Sequence, residues 1–131
     1  MNTKPLLGIC LGMQLMGQFH KEGNVQGLGL VDVDIHPFET ALKVPHLGWN
    51  QVQRSENNEH SPLFNGIQSD AYFYFIHSYY MPVNSYTIAS CQYDHSFTAA
   101  IQYKHNYATQ FHPEKSGEPG LQLLKNFIEK C

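Results

Sequence analysis

A cysteine stands at position 10 in the run Gly8-Ile9-Cys10-Leu11-Gly12-Met13-Gln14, and a histidine at position 112 in Phe111-His112-Pro113-Glu114. The first run has the form of a nucleophile elbow. An apolar stretch, Leu6 to Ile9, leads as a strand into a single nucleophile, and a helix starts directly behind it. Glycines two residues before and two after suit a strained turn, where strand and helix backbones come so close that a Cβ on either flank collides. A cysteine at a helix N-terminus meets unpaired N–H groups and the positive end of the dipole, which favour thiolate. Taken alone, G-x-C-x-G is also compatible with a small buried cysteine in an apolar strand.

The second run supplies a base. Proline holds the residue before it in extended geometry, and in extended chain residues i and i+2 point the same way. Glu114 can therefore reach back to the His112 imidazole, fix its tautomer and leave the other nitrogen to face a thiol. Cysteine, histidine and carboxylate in this relation are the cysteine form of a catalytic triad. The alternative is a loop histidine in a surface ion pair. The joint occurrence of two uncommon motifs, nucleophile first and base last, weighs against it.

The elements that must position these groups follow from periodicity. Leu11, Leu15, Met16 and Phe19 fall on one helical face behind the elbow. Gly23 and the run Val25 to Gly29 end that helix in a turn. Val31, Val33 and Ile35 alternate with Asp32, Asp34 and His36, which predicts a half-exposed strand. Pro45 to Asn50 reads as a loop before a short strand near Gln51 to Arg54. Ser55 to Asp70 is polar and turn-rich apart from Leu63-Phe64, and is expected outside the main sheet. Ala71 to Ile76, Thr87 to Tyr93, Phe97 to Gln102 and Tyr107 to Gln110 read as successive, largely antiparallel strands, with turns at His95-Ser96 and His105-Asn106. The chain closes with a helix capped at Ser116 or Gly117, with Glu118 and Pro119 in its first turn and Leu121, Leu124, Phe127 and Ile128 as its buried stripe.

Composition bounds the class. The 131 residues are expected to form a single domain, 1–131, with 42% hydrophobic and 15% charged residues, which excludes disorder. The net charge of −3 with no basic run gives no sign of nucleic-acid binding. The eight histidines are scattered without metal-ligand spacing, so no metal is expected. Cys10, Cys91 and Cys131 form no disulfide framework, which suits a reducing cytosol and a cytoplasmic location; Cys91 reads as plain core. The apolar N-terminal run superficially resembles a signal peptide. It contains Gln14, is followed by Gln18-Phe19-His20 and has no small-residue cleavage site, so it reads as strand, turn and helix, with no membrane span.

With an elbow cysteine first and His-x-Glu last, the chain resembles the class I glutamine amidotransferases. Three runs narrow the resemblance: Lys43-Val44-Pro45-His46-Leu47-Gly48-Trp49-Asn50, Phe75-Ile76-His77-Ser78-Tyr79-Tyr80 and Gln110-Phe111-His112-Pro113-Glu114-Lys115-Ser116-Gly117. Together with Glu22 to Leu30, they are similar to the glutaminase subunits of imidazole glycerol phosphate synthases, from Leu6 to Ile128. The resemblance implies an α/β fold of flavodoxin-like type, a mixed sheet flanked by helices. It implies that Cys10 attacks the glutamine amide through a γ-glutamyl thioester, with His112 as acid and base and Glu114 orienting it. The Leu11 N–H, beside Gly12, would serve an oxyanion hole. Gln14 would lie beside the substrate, and His77, Ser78 and Tyr79 at its amino-acid end. Trp49, Asn50, Lys115 and Ser116 would face a (β/α)₈-barrel cyclase, as in a heterodimer that uses the ammonia in histidine biosynthesis. No cofactor is implied.

Each assignment has a plainer alternative. Trp49 could cover the core, His77 could be a structural histidine, Lys115 could form a solvated ion pair with Glu114, and Gln14 could solvate its helix. The family places a strand and a Gly-rich loop, which donates a second oxyanion N–H, ahead of the elbow. With the elbow at residue 8, an N-terminally truncated domain is expected, with an apolar sheet edge beside the elbow strand. Three other functions stand beside the glutaminase. They are a paralogous glutaminase serving a surface-sugar amidination synthase, a non-catalytic subunit that only binds the cyclase, and a free-standing cysteine peptidase.

Overall fold

The structure is a computed structural model and describes residues 4–56 and 61–131. The elbow strand forms where expected, as β1 (Leu6–Ile9), and runs into α1 (Leu11–Leu15). A small sheet follows, built from β2 (Phe19–His20), β3 (Val25–Gln26) and β4 (Asp34–Pro37). The main sheet takes β5 (His46–Arg54) and β6 (Tyr72–His77). β7 (Tyr79–Tyr80) returns to the small sheet. The main sheet is completed by β8 (Thr87–Tyr93), β9 (His95–Tyr103) and β10 (Asn106–Thr109), and α2 (Gly117–Lys130) closes the chain.

The main sheet has the order β1-β10-β9-β8-β5-β6. Only β1 and β10 pair in parallel, with Ile9 opposite Thr109; the other pairings are antiparallel. This agrees with the antiparallel reading of the second half. The turns lie one or two positions before those expected, at Asp94 (φ 68°) and at Lys104-His105, with Lys104 at φ 56°. Successive residues leave opposite faces of a strand. Tyr107 therefore enters one apolar cluster, with Phe73, Phe75, Phe97, Phe111 and Leu123, while Ala108 enters another, with Met13, Met16, Val31, Ile35 and Met81. Each fully buried phenylalanine contributes roughly 1.5–3 kcal/mol through apolar burial.

Several expectations are corrected. The first helix is only five residues long, and its buried side chains are Met13 and Gln14, with Met16 just beyond. Leu11 and Leu15 are exposed, and Phe19 lies on β2. The chain leaves the helix early because Gly17 and Gly27 bring two backbones together: a Cβ on Gly27 would lie 2.2 Å from the Gly17 carbonyl oxygen. The stretch expected as a turn after Gly23 contains strand β3. Residues 31–33 are not strand, although Val31 is buried. His46 to Asn50, read as loop, is the first half of β5, because it pairs residue for residue with β6, from His46 opposite His77 to Gln51 opposite Tyr72. Ser55 to Asp70 does lie outside the sheet where described, residues 57–60 being outside the described residues.

The closing helix buries a stripe only partly the one expected: Phe127 packs against the core and Leu124 is half-buried. Gly120, Leu123 and Asn126 face inward, while Leu121 and Ile128 face solvent. Gly120 sets this rotation, since a Cβ there would lie 2.0 Å from the Pro113 carbonyl oxygen. Asn126 Nδ2 donates to the carbonyls of Leu63 (2.9 Å) and Asn65 (2.7 Å), which fastens the Pro62–Phe64 turn to α2. Among the described residues, no helix is long and apolar enough to cross a membrane.

Candidate active site

Cys10 occupies the junction of β1 and α1 with φ 56° and ψ −107°. Such a backbone costs a non-glycine residue on the order of 1–3 kcal/mol and persists only where its surroundings enforce it. The enforcing contacts are visible. Cys10 N–H donates to the Thr109 carbonyl at 2.8 Å, and its own carbonyl accepts from Met13 N–H (3.0 Å) and Gln14 N–H (3.3 Å). Gly8 is required, since a Cβ there would come within 2.9 Å of the Gly12 backbone and the Met16 methyl. Gly12 is not required in the same way: a Cβ on it would meet nothing within 4 Å. The close approach is made from one flank only.

The thiol differs from expectation. Burial pushes the Cys10 pKa up from its ordinary value, and the nearby Glu114 carboxylate adds to this; the Leu11 N–H and the Gln110 side chain oppose it. A helix of five residues contributes little dipole, so desolvation wins. Cys10 accordingly carries a thiol, which points toward the Ile76 carbonyl oxygen at 3.8 Å.

His112 lies three residues beyond Thr109, the β10 residue paired with Ile9, so the β1–β10 pairing sets both ends of the site; the Cys10 sulfur itself meets Gln110 Nε2 and the Ile76 carbonyl. Its backbone is extended (φ −98°, ψ 97°), as the following proline demands, and Nδ1 donates to Glu114 Oε2 at 2.7 Å. With Nδ1 engaged, Nε2 is the nitrogen for proton exchange. The histidine is anchored through its main chain: His112 N–H donates to the Tyr74 carbonyl at 2.9 Å, and the Ser116 hydroxyl donates to the His112 carbonyl at 2.6 Å.

Cys10, Leu11, Gln14, Glu22, His77, Ser78 and Tyr79 line a pocket of about 300 Å³. Five of the six residues expected at the substrate line it; Gly12 does not. That volume is at the small end of ligand pockets, roughly 300–1,000 Å³. A larger hollow of about 550 Å³, between residues 66–72 and the start of α2, contains none of the expected site residues.

Two of the lining side chains are already committed. His77 is buried and donates from Nδ1 to the Tyr79 carbonyl (2.8 Å). Its Nε2 must then accept from Nδ1–H of His46 (2.9 Å), whose Nε2 accepts from Asn50 Nδ2 (3.1 Å). Burial lowers both histidines from 6.5 to about 4, so both are neutral. His77 therefore shapes the pocket through the Tyr79 carbonyl rather than offering a free ring nitrogen. Gln14 is likewise held, by Tyr79, Gln110 and His20.

Of the residues expected at a partner surface, Trp49 is 55% exposed on β5, against Tyr74 at 5.9 Å, and Lys115 is exposed. Asn50 bonds inward to His46 and the Gln92 carbonyl. Ser116 is fully buried, its oxygen bonded to His112 and to Tyr74 N–H, and so cannot meet a partner directly. Gln110, His20 and His46 lie outside the residues expected from sequence. For Gln110 a signal was present: the i, i+2 rule that aligns His112 with Glu114 also puts Gln110 on the side of His112. Nothing local marks His20 or His46, which reach the site only through tertiary pairing.

Comparison with known proteins agrees with this geometry. Residues 1–131 match the family described as glutamine amidotransferase class-I. The imidazole glycerol phosphate synthase subunit HisH of Vibrio cholerae is 53% identical over 133 residues, covering 96% of this chain and 64% of that protein. The protein of the same name from Escherichia coli K12 is 53% identical over 129 residues, covering 97% and 64%. The chain thus spans about 64% of the length of these curated relatives. Among solved structures, PurLQS from Thermotoga maritima shares the fold with a TM-score of 0.70 at 14% identity, over 95% of this chain and 60% of that one. The elbow, the His–Glu pair and the full-length family match together make this chain a member of the class I glutamine amidotransferases.

Proposed function

We propose that the chain is the glutaminase part of an imidazole glycerol phosphate synthase, releasing ammonia from glutamine for a (β/α)₈-barrel cyclase. The observation that carries this reading is the strained Cys10 elbow joined to the His112–Glu114 pair by the β1–β10 pairing. The name shared by relatives 53% identical to the chain supports the choice of pathway.

Because burial keeps Cys10 protonated, His112 Nε2 takes the thiol proton as Sγ attacks the side-chain amide carbon of glutamine. The amide oxygen becomes an oxyanion, stabilised by the Leu11 N–H, which follows the nucleophile. The C–N bond then breaks, and His112 returns the proton to the leaving ammonia. A γ-glutamyl thioester remains. Water, giving its proton to His112, attacks the thioester; glutamate leaves and the thiol is restored. Glu114 accepts the Nδ1–H throughout and steadies the imidazolium. Ser78 and the backbone at Tyr79, which line the same pocket as Cys10, would hold the amino-acid end of the substrate.

The test is glutamate release by the chain with and without the barrel cyclase. Release should be slow alone, faster with the cyclase, and absent in Cys10→Ala under both conditions. Turnover that survives Cys10→Ala would overturn the reading.

A further inference from the structure

We propose that Glu22, His20, Gln14 and Gln110 form a one-way hydrogen-bond relay that presents an amide N–H to the Cys10 sulfur, with Gln110 steadying the thiolate and His20 as a positioning residue. The proposal rests on Cys10 being the nucleophile, as argued above.

The direction of every link follows from the first. The backbone N–H of Glu22 can only donate, and it donates to His20 Nδ1 at 3.1 Å. In the neutral imidazole the hydrogen must then sit on Nε2, which donates to Gln14 Oε1 at 2.8 Å. That fixes the Gln14 amide: Nε2 donates to the Tyr79 carbonyl (3.2 Å) and to Gln110 Oε1 (3.0 Å). The Gln110 amide is fixed in turn, and its Nε2 donates to Cys10 Sγ at 3.7 Å. Reversing Gln14 would set its oxygen against the Tyr79 carbonyl, and reversing Gln110 would set two N–H groups against each other.

The relay is shielded from water, with His20 7%, Gln14 6% and Gln110 0% exposed. Aligned hydrogen bonds reinforce one another in such surroundings. His20 is also located by its ring, 5.0 Å from that of Tyr79. The geometry has a clear purpose at its end. Burial disfavours a charge on Cys10, and the Gln110 amide is one of the two groups that oppose it, with the Leu11 N–H. A half-buried sulfur that must ionise against its burial needs a donor that cannot turn away. A free glutamine amide could flip, and the relay prevents this from three residues away.

The experiment is alkylation of the full chain by iodoacetamide across pH, with peptide mass spectrometry resolving Cys10 from Cys91 and Cys131. Gln110→Met keeps the shape and removes the donor. It should move the Cys10 midpoint upward and slow labelling near neutral pH about tenfold, as expected for one hydrogen bond to a charged group. His20→Phe keeps the ring against Tyr79 and should slow labelling about threefold through the freed amides, while His20→Gln, which restores an N–H, should recover most of it. Cys131 should be unaffected throughout. If Gln110→Met does not fold, the two His20 variants decide alone. An unchanged Cys10 midpoint in folded His20→Phe, or equal loss in His20→Gln, would overturn the relay. The readout is ionisation rather than turnover, so the two readings fail separately. Shifted midpoints in a chain without glutaminase activity keep the relay and sink the nucleophile assignment; unshifted midpoints with intact turnover sink only the relay.

Discussion

His46 and His77 share a single hydrogen between Nδ1 and Nε2, and burial lowers both from 6.5 to about 4. The unfolded chain therefore binds more protons than the folded one between those values. The stability held in keeping the pair neutral is complete above pH 6.5 and is lost as pH falls toward 4. For His77 this is on the order of 2–3 kcal/mol. Melting temperature should drop steeply from pH 7 to pH 4.5, and the slope should flatten in His46→Gln/His77→Gln; a wild-type melting curve insensitive to pH in this window would contradict the neutral pair. At the other histidine, His112→Ala should remove nearly all turnover, as loss of a general acid–base group costs about 10²–10⁴-fold. Glu114→Gln should cost less, because it disturbs only the orientation of the imidazole, and steady-state kinetics with the cyclase present would rank the two. The elbow and the His112–Glu114 contact were legible because each lies in one short run governed by local rules. His20 and His46 were not, because the partners that make them important come from Gln14 and His77, which only the fold brings near.

The closing helix shows what periodicity misses. Its apolar residues predict a face through Leu121, Leu124, Phe127 and Ile128, yet α2 turns Leu121 and Ile128 to solvent, keeps Phe127 against the core and packs on Gly120, Leu123 and Asn126. A missing Cβ and a buried amide outrank the apolar stripe, because one permits close approach and the other satisfies two carbonyls. The same conflict turned the expected Pro45–Asn50 loop into strand, since the pairing with β6 is a tertiary fact. Boundaries fixed by local chemistry were read correctly, as at Leu6 to Ile9 and Thr87 to Tyr93. Gly120 also links this helix to the His112–Glu114 pair. Gly120→Ala would drive a methyl into the Pro113 carbonyl, beside His112 and Glu114. It should destabilise the fold by about 1–3 kcal/mol, as overpacking does. It should also lower turnover in the folded fraction, although no residue of the pocket is touched; denaturant unfolding and active-site titration separate the two effects.

Across the whole molecule, the two edges of the main sheet differ in kind. At the β6 edge, Leu47, Trp49 and Tyr72 are more than half exposed and Ile76 is exposed too, beside the charged Lys115. Trp49→Ala should weaken association with the cyclase by more than about 1 kcal/mol, as loss of a buried aromatic anchor does; calorimetric titration would show it, and unchanged binding with lost thermal stability would mark Trp49 as cover for the core. At the other edge, β1 has β10 as its neighbour on one side and, among the described residues, none on the other, and Leu11, Leu15, Val25 and Leu28 are exposed. Exposed apolar surface beside an open strand invites pairing with other chains. The isolated chain should self-associate with rising concentration in sedimentation, and Leu15→Lys with Leu28→Lys should reduce this.

The β1–β10 pairing also sets a schedule. Synthesis runs from the N-terminus, so the elbow leaves the ribosome first, and Gln110, which bonds its sulfur, follows 100 positions later. Throughout that interval β1 lacks its partner strand, the strained turn lacks the Thr109 carbonyl that holds the Cys10 N–H, and the sulfur lacks the Gln110 donor. The nascent chain carries an ordinary cysteine. The amide donor and the His112–Glu114 pair that complete its surroundings come 100 or more positions after it, so on the proposed reading a polypeptide not yet extended past Glu114 should release no ammonia.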